Sequence, residues 1–517
     1  MLGAPWPTAD TVSGLGKRHI HYHSLFFGMA SLEELRAERI KKLETLKARG
    51  INPYPVESTR THEIAEVMKG FSALSKKKKG IVVAGRIRAI RGQGAIIFLD
   101  LDDGTGIFQV LLKKDETGEE ALALFSETVD IGDFIECSGP LFVTKRKEKT
   151  LLAKSWRMLA KALRPLPDKW AGLTDIEERS RKRYLDTIAS PESKERFLTR
   201  SRVVSALRAV LDEAGYVEVE TPILQSHAGG AAAKPFMTHH RALDLDLYLR
   251  IAPELFLKEL LVGGFPKVYE IGRLFRNEGI DATHNPEFTT IEYYEAYSNA
   301  RAYMEFTEKI IRSVAKKIHK GGVAVFDGQK IDFTKPFAHV SYADLLKRNA
   351  LLNDLPNLTR KDAELKARQL AVSVADSDSR EKILDNIYKK VCRPKIIQPT
   401  FITGYPVAYL PLAKRLEKDP EFADAFQVVI AGIEIVKGFS ELNDPIDQRE
   451  RFTKEDAHAK AGDEEAQTSD EGFLEALEYG MPPTAGVGMS VDRLAMLLTD
   501  THNVRDIILF PTMRPKG

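Results

Sequence analysis

Phe275-Arg276-Asn277-Glu278-Gly279, followed a few positions later by His284-Asn285-Pro286-Glu287-Phe288, is the stretch on which the reading of this chain turns. Residues 269–276 predict a strand, with Tyr269, Ile271 and Arg273 on one face. Residues 288–297 are rich in β-branched and aromatic side chains and predict the return strand. Arg276 and Glu278 stand two positions apart, so an extended backbone turns them the same way, and Glu292 and Tyr294 are related in the same manner. A hairpin whose polar side chains converge on one face predicts the floor of a site rather than a solvated edge. Its counterpart near the C-terminus is Gly486-Val487-Gly488-Met489-Ser490-Val491-Asp492-Arg493, a glycine-rich strand running into a helix. Arg493 at that helix start occupies a place that favours anions. The glycines follow neither the dinucleotide nor the phosphate-loop fingerprint.

The chain has 517 residues, enough for two or three domains and a large core. Charged residues make up 29%, yet the net charge is only +2. That balance excludes a wholly basic nucleic-acid binder, so any contact to RNA uses local patches. Cys137 and Cys392 lie far apart, with no zinc spacing and no disulfide framework, and read as reduced cysteines of a cytosolic protein. No apolar run is long enough to span a bilayer. Residues 1–28, with Pro5, Trp6, Pro7 and Arg18-His19-Ile20-His21-Tyr22-His23, lack the layout of a secretory signal and are expected to be a disordered tail without function. Met29 has the look of a natural start, because Ser31 then caps a helix with Glu34 three positions on.

Residues 29–79 form an expected helical extension. Leu32, Leu35, Ile40, Leu43 and Leu46 are spaced for a helix that Gly50, Pro53 and Pro55 end. Its basic face reads either as solvated surface or as a neighbour of RNA phosphates. The lysine run 76–79 predicts a loop. Residues 80–163 change to short strands at 81–86, 95–101, 107–112, 134–139 and 151–153, with a turn at Asp102-Asp103-Gly104-Thr105-Gly106. A five-stranded barrel of this size fits an OB-fold, which offers a strand face to single-stranded nucleic acid. Residues 164–190 read as a linker. In residues 191–517 a helix over 191–214 ends at Gly215, and a strand over 216–222 is closed by Pro222. An antiparallel sheet flanked by helices follows, with a helical insertion between about 361 and 390. The fold class is α+β.

The quoted stretches resemble the second and third signature motifs of class II aminoacyl-tRNA synthetases, and the helix–strand–proline unit resembles the first. The likeness reaches the lysyl branch through Arg250-Ile251-Ala252-Pro253-Glu254-Leu255, Gly229-Gly230-Ala231-Ala232, Ala242-Leu243-Asp244-Leu245-Asp246 and Gly438-Phe439-Ser440-Glu441-Leu442-Asn443-Asp444. It runs from about residue 81 to the C-terminus. It implies an N-terminal OB-fold that binds the anticodon of tRNA(Lys), a homodimer built on the first motif, a cytoplasmic location, and activation of L-lysine by ATP with Mg2+.

Activation joins two anions, the amino-acid carboxylate and the α-phosphate, so it needs positioning and cations more than a nucleophilic side chain. The resemblance assigns Arg276 to bridge carboxylate and α-phosphate, and Arg493 to hold the outer phosphate of a bent ATP. Phe288 stacks on adenine, Glu278 accepts from its amino group, and His284 and Asn285 contact the nucleotide. Glu254, Glu441 and Tyr294 hold the ε-ammonium of lysine, with Phe439 in the same site. Glu292 receives the α-ammonium beside the carbonyl of Gly230. Two positions depart from the lysyl pattern. Gln427 stands where an acidic residue serves as a magnesium ligand with Glu434, and Lys437 stands where an asparagine meets the lysine carboxylate. In the barrel, Phe98 stacks on an anticodon base, Gln109 reads base edges, and Arg91, with Arg86 and Arg88, faces phosphate. Loss of Arg276, Glu278 or Arg493 would point to a non-catalytic RNA binder, and all three are present.

Overall fold

The computed structural model describes residues 31–76, 80–92, 94–167, 175–231, 233–376, 378–460 and 469–515. The tail over 1–28, Lys77, Lys78, Lys79, Ala232 and part of the expected linker lie outside the described residues. The chain forms two compact units, 1–167 and 168–517.

In the first unit the helix Leu32–Ala48 begins as its sequence dictates. Ser31 accepts from the Glu34 amide while Glu34 accepts from the Ser31 amide, a reciprocal cap. Only Leu43 and Leu46 of its apolar positions are buried, while Leu32 and Leu35 stay exposed. A second helix, Ile64–Lys76, was not expected; it buries Ile64, Val67 and Phe71 against the strands. The strands are β1 (Ile81–Arg91), β2 (Ile96–Asp102), β3 (Ile107–Lys113), β4 (Phe134–Gly139), β5 (Leu141–Val143), β6 (Lys149–Ala153) and β7 (Ser155–Ala160). They pair in the order β5-β6-β3-β2-β1-β4-β7. The order folds back on itself where the Lys154 amide donates to the Ser138 carbonyl at 2.7 Å. This sheet has two strands more than the five expected, β5 and β7, and helices Lys114–Thr117 and Glu119–Thr128 sit between β3 and β4. Ile97, Leu99, Phe108 and Val110 alternate into the core, which leaves Phe98, Asp100, Gln109 and Leu111 on the outer face.

In the second unit the segment read as a linker carries two helices, Ile176–Arg181 and Arg183–Ala189. Arg183 is buried, pairs with Asp186 at 2.8 Å and donates to the Leu509 carbonyl at 3.0 Å. That buried arginine fastens the segment to the C-terminal strand–helix end of this unit. The long helix Pro191–Glu213 starts at a Ser190 cap with proline in its first turn and stops before Gly215, whose φ of +80° suits glycine.

The remaining strands are β8 (Val217–Glu218), β9 (Leu224–Gln225), β10 (Phe236–His240), β11 (Leu245–Leu249), β12 (Lys267–Phe275), β13 (Glu287–Ala296), β14 (Val323–Phe326), β15 (Gln329–Asp332), β16 (Ala338–Ser341), β17 (Thr400–Thr403), β18 (Ala425–Ile430), β19 (Ile433–Ser440) and β20 (Thr484–Ser490). The main sheet runs β16-β17-β18-β19-β20-β13-β12-β8 and is antiparallel except at its two edges. The strand expected over 216–222 shrinks to β8, because Thr221 leaves the ladder to bond Glu270 through its hydroxyl at 2.7 Å. Helices Arg360–Gln369 and Arg380–Ile387 make up the expected helical insertion, which closes in a π-turn over Tyr388–Cys392, and a further helix, Tyr342–Ala350, precedes it.

Register decides which side chains meet. Tyr269, Ile291, Tyr293, Val436, Val487 and Met489 point to one face and form the core with Val203, Leu207, Ile310 and Val314 of the flanking helices. The opposite face carries one row, Gln427–Lys437–Gly488–Glu292–Glu270, and a second, Phe439–Gly486–Tyr294. The glycine at 486 is dictated by this face: a Cβ there would overlap both the Tyr294 ring and the Glu441 carboxylate.

Candidate active site

The hairpin β12–β13 supplies the floor, as its alternation predicts. Arg276 follows β12 and is held by its amide to the Pro286 carbonyl at 2.9 Å. Its guanidinium lies over the Phe288 ring, 5.2 Å from the centroid, and its Nε is buried without a hydrogen-bond partner. Burial pushes its pKa down, against the opposing pull of Glu278 and Glu292. A desolvated cation with a free donor is a site for an incoming anion. Glu278 lies beyond the end of β12 and is exposed, so the same-side relation expected from an extended chain does not extend to it.

Arg493 sits in the first turn of the helix Val491–Leu498, where the Ser490 hydroxyl accepts from the Arg493 amide. Its Nη1 donates to the Glu434 carbonyl at 3.1 Å and its Nη2 meets His284 Nε2 at 3.0 Å. Because guanidinium only donates, His284 Nε2 accepts, and the His284 proton sits on Nδ1 toward Asp281 at 2.8 Å. Burial raises the Asp281 pKa, but the Thr283 amide and His284 outweigh it and hold the carboxylate at about 2. Asn285 is buried, donates to the Glu287 carbonyl at 2.6 Å, and leaves its own oxygen unpartnered. Asp492 ties this end together: it accepts from the Thr289 amide at 2.7 Å and pairs with Arg200 at 2.7 Å.

Deeper on the same face lies an acidic pocket. Glu254, at the start of the helix Glu254–Val262, joins Glu292, Glu441 and Tyr294. Tyr294 donates to Glu292 at 2.9 Å. Burial, reinforced by Glu254, pushes the Glu292 pKa up to about 8. Glu441 is driven well above the carboxylate range by burial, even though Lys258 pulls the other way. Gly230, with φ of +84°, passes so close that a Cβ would come within 3.2 Å of Glu254 Cβ. Phe439 lines the same region, with the Lys258 ammonium 5.6 Å from its ring centroid.

Lys258 was missed by the sequence reading. Its ammonium bridges Glu254 at 2.7 Å and Glu441 at 2.5 Å and is fully buried. The acidic pair expected to await a foreign cation thus already shares one of its own, and Glu441 Oε1 remains without a hydrogen-bond partner. The signal was present, since Glu254 and Lys258 stand four apart on one helix.

The metal pair expected from the resemblance is a poor ligand set. A protein-held magnesium ion needs oxygen ligands free to turn toward it. Gln427 offers one neutral carbonyl, and that oxygen accepts from Tyr405 at 2.7 Å. Directly across the ladder from Gln427 stands the cation Lys437. Among the described residues no group of three or more His, Cys, Asp or Glu side chains is arranged to hold a metal. Glu434 and Gln427 therefore do not fit a magnesium ion held by the protein. Glu434 instead faces Arg393, 3.9 Å away. Arg393 and Lys389 are further site residues that sequence reasoning missed; with His284, Glu434 and Arg493 they line a cavity of about 170 Å3.

In the first unit Phe98 and Gln109 share the outer strand face, with Arg91 paired in register to Phe98. Arg91 is held by Asp100 through two bonds of 2.6 and 2.7 Å, and Gln109 accepts from Thr150 at 2.8 Å. Arg86 lies over the Phe134 ring and donates through Nη1 to the Gly132 carbonyl at 3.2 Å.

A sheet-floored site with one arginine in the loop of the hairpin and another opening the last α-helix defines a class II aminoacyl-tRNA synthetase, and the chain belongs to that family. The family profile described as tRNA synthetases class II (D, K and N) matches residues 175–514, and that of the OB-fold nucleic acid binding domain matches 81–159. Among relatives, the lysine–tRNA ligase of Enterococcus faecalis is 46% identical over 493 residues, covering 94% of this chain and 99% of its own. Those of Pelotomaculum thermopropionicum and Moorella thermoacetica are 47% and 46% identical, covering 94% and 93% of this chain and 96% and 98% of theirs.

Proposed function

We infer that this chain is a lysine–tRNA ligase, which activates L-lysine with ATP and transfers it to the 3'-terminal adenosine of tRNA(Lys). The observation that carries the reading is the acidic pocket, with an unpartnered Glu441 oxygen, on the same sheet face as the desolvated Arg276. Buried carboxylates are costly unless a cation meets them. Glu441, Glu254 and Tyr294 receive the ε-ammonium; Glu292 and the Gly230 carbonyl receive the α-ammonium. A lysine carboxylate oxygen attacks the α-phosphorus and the bond to pyrophosphate breaks. Arg276 spans the two reacting anions, and Arg493 holds the departing phosphates. Phe288 stacks on adenine, with Glu278, His284 and Asn285 around the nucleotide. The terminal tRNA hydroxyl then attacks the lysyl carbonyl and AMP leaves.

The test is lysine-dependent ATP–pyrophosphate exchange without tRNA. Exchange with lysine and with none of the other amino acids is expected; no exchange with lysine by folded protein would overturn the reading.

Two further outcomes follow. A neutral Glu292 cannot balance an ammonium, and its carboxyl titrates near 8 in the free site. Lysine binding therefore requires loss of the Glu292 proton together with that of Glu441, which burial also raises, so affinity rises steeply with pH below that value. Glu292→Gln makes this profile shallower by the share that belongs to Glu292, as isothermal titration from pH 6 to 9 would report. In the barrel, Phe98→Ala is expected to raise the KM for tRNA roughly tenfold to a hundredfold through lost base stacking. Exchange without tRNA reports separately on the catalytic unit.

Val217, Ile223, Leu224, Met237 and Leu245 are exposed apolar side chains around β8 to β11, the region of the first motif, and support a homodimer built there. Sedimentation equilibrium measures this. Among the described residues no helix is long and apolar enough to cross a membrane; the proposed location is the cytoplasm.

A further inference from the structure

The end of the site that takes the phosphates carries four fixed cations, Arg493, Arg393, Lys389 and Lys437, against two facing carboxylates, Glu434 and Asp385. Arg493, Arg393 and Lys389 line the cavity beside Glu434. Lys437 projects from the same sheet face, in the row between Gln427 and Gly488. Asp385 neutralises Lys389 at 2.7 Å, and Asp281 is engaged by His284 at the rim. Arg393 Nε is buried with no hydrogen-bond partner, and among the described residues Lys437 has no ion-pair partner. Burial pushes the Lys437 pKa down, and Glu434 is the carboxylate that opposes this most. Gln427, the residue facing Lys437, is neutral, and its oxygen accepts from Tyr405. The donor set is thus wrong for a protein-held divalent ion and right for a polyanion.

We propose that Lys437 and Arg393 are the built-in cations of the ATP phosphates, standing where a divalent ion held by the protein would otherwise supply charge. Lys437 lies in the same row as Glu292, so it serves the junction between the lysine carboxylate and the α-phosphate. Arg393 serves the outer phosphates beside Arg493. The chain accordingly binds ATP with little help from magnesium. This inference rests on reading the cavity as the ATP site.

The experiment is isothermal titration of the full chain with ATP, inorganic pyrophosphate and adenosine, each in excess magnesium and in EDTA. The variants are Lys437→Asn, Arg393→Gln and the double variant Gln427→Glu/Lys437→Asn. Wild-type affinity for ATP in EDTA is expected within about threefold of that in magnesium. Lys437→Asn and Arg393→Gln are each expected to lose about tenfold or more for ATP and pyrophosphate in EDTA, the scale of one close charge contact. Adenosine, which has no phosphates, should bind all variants alike, which separates charge loss from misfolding. The double variant, with an acid and no lysine, should bind ATP only when magnesium is present. ATP binding that collapses more than about thirtyfold in EDTA for the wild type, or that is indifferent to Lys437→Asn in EDTA, overturns the proposal while the ATP site stands. Failure to bind ATP in either condition overturns the ATP-site reading and this inference with it.

Discussion

Arg276→Lys is expected to lower lysine-dependent ATP–pyrophosphate exchange by about a hundredfold to a thousandfold, the scale seen when one preorganised donor to a developing charge is removed. Lysine keeps the charge, so the loss isolates geometry. The guanidinium fork can donate to two anions at once, whereas an ammonium is a point charge on a flexible stem. Here the fork is already placed: the Arg276 amide is fixed to Pro286, the guanidinium lies over the Phe288 ring, and its buried Nε has no partner in the protein. Lysine keeps the buried charge and Arg276 Nε makes no hydrogen bond within the protein, so the thermal midpoint of Arg276→Lys should stay close to that of the wild type. Exchange rates with differential scanning calorimetry check both halves. An exchange rate within about tenfold of wild type would mean that Arg276 binds substrate without acting on the barrier.

What could be read from sequence was what local pattern encodes. The hairpin 269–297 showed in its alternation, and Glu292 and Tyr294 share a face and are bonded, as their two-residue spacing predicts. The Ser31–Glu34 cap and the barrel strands were legible for the same reason. Other features depend on partners far away in the chain. Lys258 meets Glu441 only because β19 and the helix Glu254–Val262 converge, and no local spacing announces that. Gln427 looks available until Tyr405 is seen to hold its oxygen. The helix Ile64–Lys76 contains Gly70 and serine, which weaken its propensity; burial of Ile64, Val67 and Phe71 on the strands stabilises it. Glu278 was placed by extending the strand period past Phe275, where the ladder has already ended.

Glu441→Gln is expected to raise the KM for lysine on the order of a hundredfold to a thousandfold, with the KM for ATP changed less than about threefold. The reason is a charge count across the pocket. Glu254, Glu292 and Glu441 face one resident ammonium, Lys258. With the carboxylates ionised the pocket is short of two positive charges, the number that the α- and ε-ammonium groups of lysine supply, while its carboxylate is left for Arg276. Glutamine preserves the shape and Lys258 keeps Glu254 at 2.7 Å, so the core around Phe439 and Phe473 stays assembled. What is removed is the carboxylate whose Oε1 has no partner within the protein. The same count orders the substrates: an uncharged isostere of lysine leaves one carboxylate buried and unbalanced, so discrimination against it should shrink in Glu441→Gln by a similar factor. Steady-state exchange with lysine and with norleucine measures the ratio. If lysine and ATP constants rise together, Glu441 supports the sheet rather than choosing the substrate, and Lys258 is then the centre of a structural ion triad and not part of the specificity pocket.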